Sequence, residues 1–269
     1  MCVSTPTRKP LDRQALWSLL SEKSDFWTGV EVVPVTGSTN ADLAAAAKEG
    51  AGEGRVLIAE EQSAGRGRLD RQWTSPAGAG LTMSFLLRPT LPREQWGTLS
   101  IVTAVALRET LAAVCGVDAK LKWPNDVLVE GRKVCGILAQ VEGGAVIVGA
   151  GLNVSLTDEE LPVPTGTSLL IAGATELDRA TIAADFLARV GALYAAWNER
   201  GPAAVIESWR RNSDTLGRLV AVSFPNGRKL SGRAVGIDAE GCLQIAADGG
   251  EGAVETVAAG DIVHLRPQD

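Results

Sequence analysis

The segment "QSAGRGRLDRQW", residues 62–73, packs three arginines, two close-set glycines and a tryptophan into twelve positions. Gly65 and Gly67 let the backbone approach a ligand closely. Arg66 and Arg68 alternate with them, so their guanidinium groups can converge on one anionic group through charge-assisted, often bidentate bonds. Trp73 offers a stacking wall. A dinucleotide, a nucleic acid or a nucleotide in mid-reaction would each suit these residue types. The dinucleotide fingerprint fails on two counts: Asp70 stands at its third glycine, and "RLDRQWTSPAGAG" is full of helix breakers where a helix must follow. A GxxxxGK[ST] phosphate loop fails because no Lys-Ser/Thr follows. A solvated, arginine-rich surface loop is the plain alternative.

Four other stretches carry comparable chemistry, each with an ordinary structural alternative. "KWPND", Lys122 to Asp126, brings opposite charges and the Asn125 amide to a strand end, with Pro124 fixing a turn; a charged hairpin tip would look the same. "GRKVCGIL" sets Lys133 three residues before Gly136, and alone Lys133 reads as an edge-strand lysine. "GSTN" places Ser38, Thr39 and Asn40 at a strand-to-helix junction, where such residues cap helices and can also hold the polar end of a small ligand. "GAGLNVS", Gly149 to Ser155, is a glycine-rich strand end containing Asn153, and reads equally as a β-bulge.

These stretches need elements to position them. Residues 11–21 read as a short helix, "VEVVPV" as a strand, and 39–48 as a helix opened by a Thr39–Asp42 capping box. "RVLIAEE" and "LTMSFLLRP" read as strands and 94–115 as one long helix. Three β-like segments follow, "AKLKWPNDVLVEG", "KVCGILAQVE" and "AVIVGAGLNVSL", then helices over 178–198 and 202–212. Strands come first and helices follow without a regular βαβ alternation. That predicts an α+β fold with a mixed, largely antiparallel sheet packed with helices. From about Leu216 only short alternating strands remain, five in about 50 residues, which suits a small SH3-like barrel. The expected division is residues 1–214 and 215–269.

Composition narrows the chemistry. With 269 residues and 45% hydrophobic content the chain can bury a large core, and its net charge of −6 disfavours a general nucleic-acid binder. The four cysteines form no CxxC pair and there is one histidine, so a Cys/His zinc site is not expected, and the cysteine spacing suits a reducing cytoplasm. The N-terminus has no apolar run typical of a signal peptide, and no segment reads as membrane-spanning. Any Ser-His-Asp or Cys-His scheme would run through His264, which sits in a terminal strand. Positioning and charge stabilisation are therefore expected to carry any reaction.

Taken in order, STN, QxAGRGR…W, KWPND, GRKxxGIL and GxGxN resemble the biotin–protein ligase family. The resemblance is dense over residues 30–155 and returns in the C-terminal "GIDAEGCLQI…GDIVHLR", which looks like that family's small barrel domain. It implies a class II synthetase-like biotin–lipoate ligase catalytic domain that activates biotin with ATP and attaches it to a carrier lysine. By the same resemblance Ser38, Thr39, Asn40 and Gln62 line the biotin site. Gly65, Arg66, Gly67, Arg68 and Trp73 form the loop over the adenylate, and Gly136 belongs to the biotin side. Lys133 meets the reacting carboxylate, Asn125 and Asn153 lie near the nucleotide, and Asp126 is a candidate Mg²⁺ ligand. Arg66, Arg68 and Lys133 are the expected catalytic groups. ATP, Mg²⁺ and biotin are implied as substrates and activator, with no bound organic cofactor. The implied partner is a biotin carboxyl carrier domain, with no nucleic acid and no membrane. The family loop usually reads GRGRxGR, so Asp70 is a departure. Only about 30 residues precede the first core strand, so the helix-turn-helix domain of bifunctional members is not expected. Lipoate–protein ligases share the architecture, and the GRGR loop and KWPND favour biotin over lipoate.

Overall fold

The computed structural model describes residues 8–69, 71–224, 227–247, 253–258 and 261–264. Seven strands form the main sheet: β1 (Gly29–Thr36), β2 (Arg55–Gln62), β3 (Gly80–Leu87), β4 (Ala119–Lys122), β5 (Asp126–Val129), β6 (Arg132–Glu142) and β7 (Ala145–Asn153). Their spatial order is β1-β2-β3-β7-β6-β5-β4. The β1–β2 pair is parallel, and helix α2 (Thr39–Lys48) makes the crossover between the two strands that a parallel pair requires. The pairs from β2 onward are antiparallel. The α+β mixed sheet is therefore as expected.

Period-two alternation divides the sheet into two faces. On β3, Leu81, Met83, Phe85 and Leu87 point into the main core, and on β7 so do Val146, Val148, Ala150 and Leu152. Helices α1 (Arg13–Ser21), α3 (Leu99–Ala113) and α4 (Arg179–Arg200) contribute to that core. The other face carries a smaller cluster in which Leu43 and Ala47 of α2 meet Leu57, Leu86 and Ile147. The same alternation puts Ser84 with Leu86, and Gly149 and Gly151 with Ile147, on that second face.

Several local expectations are corrected. The helix expected over 94–115 is a 3-10 turn, Arg93–Thr98, followed by α3; Gly97, a poor helix former, lies at the junction. The residue capping α2 is Ser38 rather than Thr39, and Asp42 is bonded by the Thr36 hydroxyl at 2.5 Å instead of closing a capping box. "GAGLNVS" holds no bulge at Gly149–Asn153, since the β3–β7 register runs unbroken from Gly80↔Asn153 to Leu87↔Val146. Lys133 lies on β6, which is paired on both sides, so it is not an edge-strand residue. "AKLKWPNDVLVEG" is two strands, β4 and β5, closed by Trp123–Asn125, with a cis Trp123–Pro124 bond.

After α5 (Ala203–Arg211) come β8 (Leu219–Ser223), β9 (Lys229–Ile237), β10 (Leu243–Ala247), β11 (Val254–Val257) and β12 (Asp261–His264). They form one antiparallel sheet ordered β11-β10-β9-β8-β12, in keeping with a small SH3-like domain. The sheet docks on the larger one through Trp123, whose Nε1 donates to Gly241 O at 3.0 Å, and through the start of α3.

Candidate active site

Three glycines set up the site. Gly136 of β6 pairs with Gly151 of β7, and Gly149 pairs with Leu138 on one side and Ser84 on the other. With no side chains there, the second face of the sheet has a flat floor. The Trp73 indole lies on it: a Cβ at Gly151 would sit 2.4 Å from the ring and one at Gly136 3.3 Å from it. Lys133 Nζ lies 5.6 Å from the ring centroid, within cation–π range. The indole Nε1 is buried and has no hydrogen-bond partner among the described residues.

The "GRGR" segment is a small hairpin laid over this floor. Trp73 N donates to Gly65 O at 3.0 Å, Gly67 N donates to Arg71 O at 2.7 Å, and Arg66 bridges to Gln72. Gly65 is needed because a Cβ there would lie 2.3 Å from Trp73 O. The close approach that glycine permits is thus to the hairpin's own backbone. Arg66 is exposed, whereas Arg68 is half-buried beside Trp123, Pro124 and Asn125. Burial holds the Arg68 guanidinium below its ordinary value; Asp126 opposes the shift and Arg71 adds to it. Asp70 lies outside the described residues.

Lys133 and Asp126 form an ion pair at 2.5 Å, with Lys133 held on both main-chain sides by Thr165 O and Thr167 N. Asn125 Nδ2 donates to Ile137 O at 2.7 Å, which pins the "KWPND" turn to β6. Asn153 is buried and donates to Thr167 O at 2.9 Å, a bond that anchors the chain after β7. At the other end of the floor, Ser38 caps α2, Thr39 N and Oγ1 both reach Gln62 Oε1, and Asn40 Nδ2 reaches Gln140 Oε1 at 2.9 Å. Ser84, Gln140 and Gly149 complete this polar corner, and a Cβ at Gly149 would lie 2.2 Å from Asn40 Oδ1. Sequence reasoning did not single out Ser84 or Gln140. Their only signal is a period-two match across strands, and that requires the register.

Among the described residues, no three His, Cys, Asp or Glu cluster as a metal site. One carboxylate, Asp126, suits Mg²⁺ held chiefly by substrate phosphates. A cavity of about 220 Å³ opens where Arg68 and Asn125 meet Ser100, Ile101 and the Glu240–Cys242 turn of the C-terminal sheet.

The sequence matches two family models: the biotin/lipoate A/B protein ligase family over residues 32–156, and the biotin protein ligase C-terminal domain over 215–265. It is 41% identical to the biotin–[acetyl-CoA-carboxylase] ligase of Mycobacterium tuberculosis, over 96% of this chain and 97% of that protein. The chain belongs to the biotin–protein ligase family. Another relative, the bifunctional ligase/repressor BirA of Escherichia coli, is 32% identical over 82% of this chain and 70% of its own length. Among solved biotin protein ligases, that of Aquifex aeolicus in complex with biotin and ATP superposes with a TM-score of 0.76 at 26% identity, covering 89% of this chain and all of that one. The floor, the hairpin and the Lys133–Asp126 pair all lie within the residues matched by the first family model. Among the chain's described residues no helix is long and apolar enough to cross a membrane.

Proposed function

We propose that this chain activates biotin with ATP to biotinyl-5′-AMP and transfers the biotinyl group to a lysine of a biotin carboxyl carrier domain in the cytoplasm. The observation that carries this reading is the convergence of Lys133, Asp126, Arg68 and Trp73 over a glycine floor, in a chain of this family. In the first step an oxygen of the biotin carboxylate attacks the α-phosphorus of ATP, and pyrophosphate leaves. Two anions must meet, so fixed cations are needed where charge builds up. Lys133 is already paired with a carboxylate, and a substrate carboxylate can take the place of Asp126. Arg68, half-buried, acts more strongly on a phosphate than the exposed Arg66. Mg²⁺, when bound, neutralises phosphate charge, with Asp126 as its protein ligand. In the second step the carrier amine attacks the acyl carbon, AMP leaves, and the hairpin keeps water out. No covalent enzyme intermediate is needed.

Ser38, Thr39, Asn40, Gln62 and Gly136 line the biotin side, and Trp73, Asn125 and Asn153 the nucleotide side. Residues 1–214 form the catalytic part and 215–269 the C-terminal domain, a division supported by the second model match at 215–265. The net charge of −6 favours a protein partner over nucleic acid. Incubation with biotin, MgATP and a carrier domain should biotinylate the carrier. Absence of transfer, or preferential use of lipoate in competition, would overturn the assignment.

A further inference from the structure

Lys133 is held by a loop, and that loop is held in turn by Arg8, a residue that belongs to none of the motifs. Lys133 N donates to Thr165 O and Thr167 N donates to Lys133 O, both at 2.8 Å. These bonds lie toward the far end of the segment 154–170, which leaves β7. The two ends of the segment are zipped together. Leu169 N donates to Asn153 O at 3.0 Å, Leu170 N to Val154 O at 2.9 Å, and Ser168 Oγ to Leu156 O at 2.7 Å. A shift at the start of the loop therefore reaches its far end, and Lys133 with it.

Arg8 grips that start. Its Nε donates to Ser155 Oγ at 3.2 Å and its Nη2 to Ser155 O at 2.9 Å. Nη1 and Nη2 form a bidentate pair with the Glu160 carboxylate at 3.0 and 2.5 Å. Glu160 Oε2 also accepts from Thr157 N at 3.0 Å, so one guanidinium and one carboxylate bind Ser155, Thr157 and Glu160 into a unit. The bond from Arg8 holds the Glu160 carboxyl below its ordinary range, against the effect of burial. The two side chains are 13% and 24% exposed, so solvent screens them less than an ordinary surface pair.

The backbone that carries Arg8 is itself fixed. Lys9 O accepts from Arg179 Nη2 at 2.7 Å, and Leu11 N donates to Glu60 Oε1 at 2.6 Å. Arg8 also lies against the exit of the hairpin, since a Cβ at Gly78 would be 3.2 Å from Arg8 Cβ. The next carbonyl, Ala79 O, accepts from Val154 N at 3.2 Å and from Ser155 N at 2.8 Å. Arg8 is thus preorganised at the junction of hairpin and loop. Residues 8–11 precede the stretches matched by the two family models, 32–156 and 215–265.

We infer that Arg8 is a positioning residue for adenylate formation: by fastening Ser155 and Glu160 it steadies the far end of the loop, and so keeps Lys133 in place. Arg8 itself touches no substrate. The inference rests on the biotin–ATP reading above and adds to it the segment before α1. It separates the two substrates, because the polar corner on the biotin side is held by bonds of its own among Thr39, Asn40, Gln62 and Ser84.

Hydrogen exchange on the full chain without ligand tests the coupling. In Arg8→Ala the Lys133 and Thr167 amides, which Arg8 does not touch, should exchange about tenfold faster, while those of α3 stay unchanged. In pyrophosphate release, kcat/KM for ATP should fall about tenfold, the scale of one charge-assisted hydrogen bond, while the biotin Kd by calorimetry stays within about twofold. Glu160→Gln breaks the same pair from the loop side and should give the same pattern, with the double variant no worse than either single one. A general loss of stability would instead speed exchange in α3 and weaken biotin as much as ATP. That result, unchanged exchange, or faster exchange confined to residues 155–160 would overturn the inference. Failure of the wild-type chain to release pyrophosphate with biotin would remove the biotin reading, and the role in adenylate formation with it; the exchange result stands or falls separately.

Discussion

In the reaction proposed above, one side chain, Lys133, serves both the resting and the reacting protein. Its ammonium is balanced by Asp126 at 2.5 Å and lies against the Trp73 ring, so it is positioned before any substrate arrives. Removing it takes a cation from where two anions must meet and leaves Asp126 unbalanced in the same place. Lys133→Ala should therefore slow adenylate formation by roughly 10²–10³-fold, the usual scale for one stabilising group, in single-turnover pyrophosphate release. Arg68→Ala should instead act mainly on retention, with faster escape of adenylate measured by filter binding. Equal and unchanged rates in both variants would dismiss these roles. The glycines act through what they lack: a methyl on Gly151 would occupy the space of the Trp73 indole, and one on Gly149 the space of the Asn40 amide.

At the scale of elements, the hairpin is steered by how β2 leaves the sheet. Glu60 near the end of β2 accepts from Arg179 Nη1 at 2.7 Å and from Leu11 N at 2.6 Å, and Arg179 also donates to Lys9 O. Arg179 is 7% exposed and stands at the first turn of α4, so this ion pair ties a core helix to the strand that launches the hairpin. Arg179→Ala leaves Glu60 charged and short of partners and should cost about 3–5 kcal/mol in urea unfolding. Strand β6 carries a second signature. Burial pushes the Cys135 thiol up to about 12, with Asp126 raising it and Lys133 and the Gly151 backbone lowering it. An unfolded thiol ionises near 8.5, so the unfolded state loses its proton first. Stability linked to Cys135 is fully present below that pH and is lost as pH rises toward the folded value. The melting temperature should fall between pH 8.5 and 10, and Cys135→Ala should flatten that fall.

For the molecule as a whole, the C-terminal sheet is joined to the catalytic sheet through the "KWPND" turn itself. Trp123 is 3% exposed, its Nε1 donates to Gly241 O, and its main-chain N–H donates to the Thr215 hydroxyl. Gly241 lies so close to α3 that a Cβ there would sit 2.9 Å from Ile101 Cδ1. The second sheet thereby walls the cavity beside Arg68 and Asn125. Trp123→Ala should cost about 3–5 kcal/mol, as for other buried aromatics. It should also loosen the two sheets, seen as faster limited proteolysis near residues 212–218. Unaltered cleavage would mean that the docking rests on other contacts, such as Arg210 to Ile237 O.

The sequence by itself determined the element types, the α+β class, the separate character of the last 50 residues and the motif set that points to the family. These are local properties: periodicity, turn residues and the spacing of Ser38–Asn40, Gly65–Arg68, Lys122–Asp126 and Lys133–Gly136 are all written along the chain. It did not determine which motif residues meet. The capping of α2 falls to Ser38, while the Thr39 hydroxyl bonds Gln62, 23 residues further along the chain at the end of β2. The hairpin exposes Arg66 and half-buries Arg68, a difference their alternation in the sequence does not show. Ser84 and Gln140 carry no motif, and the GxGxN pattern does not say what Gly149 and Gly151 face; antiparallel register lays Ser84 beside Gly149 and Gly136 beside Gly151. Register is a property of pairs of strands far apart in the chain, so only the tertiary structure could place the floor, the indole lying on it and the Thr39 hydroxyl against that of Ser84.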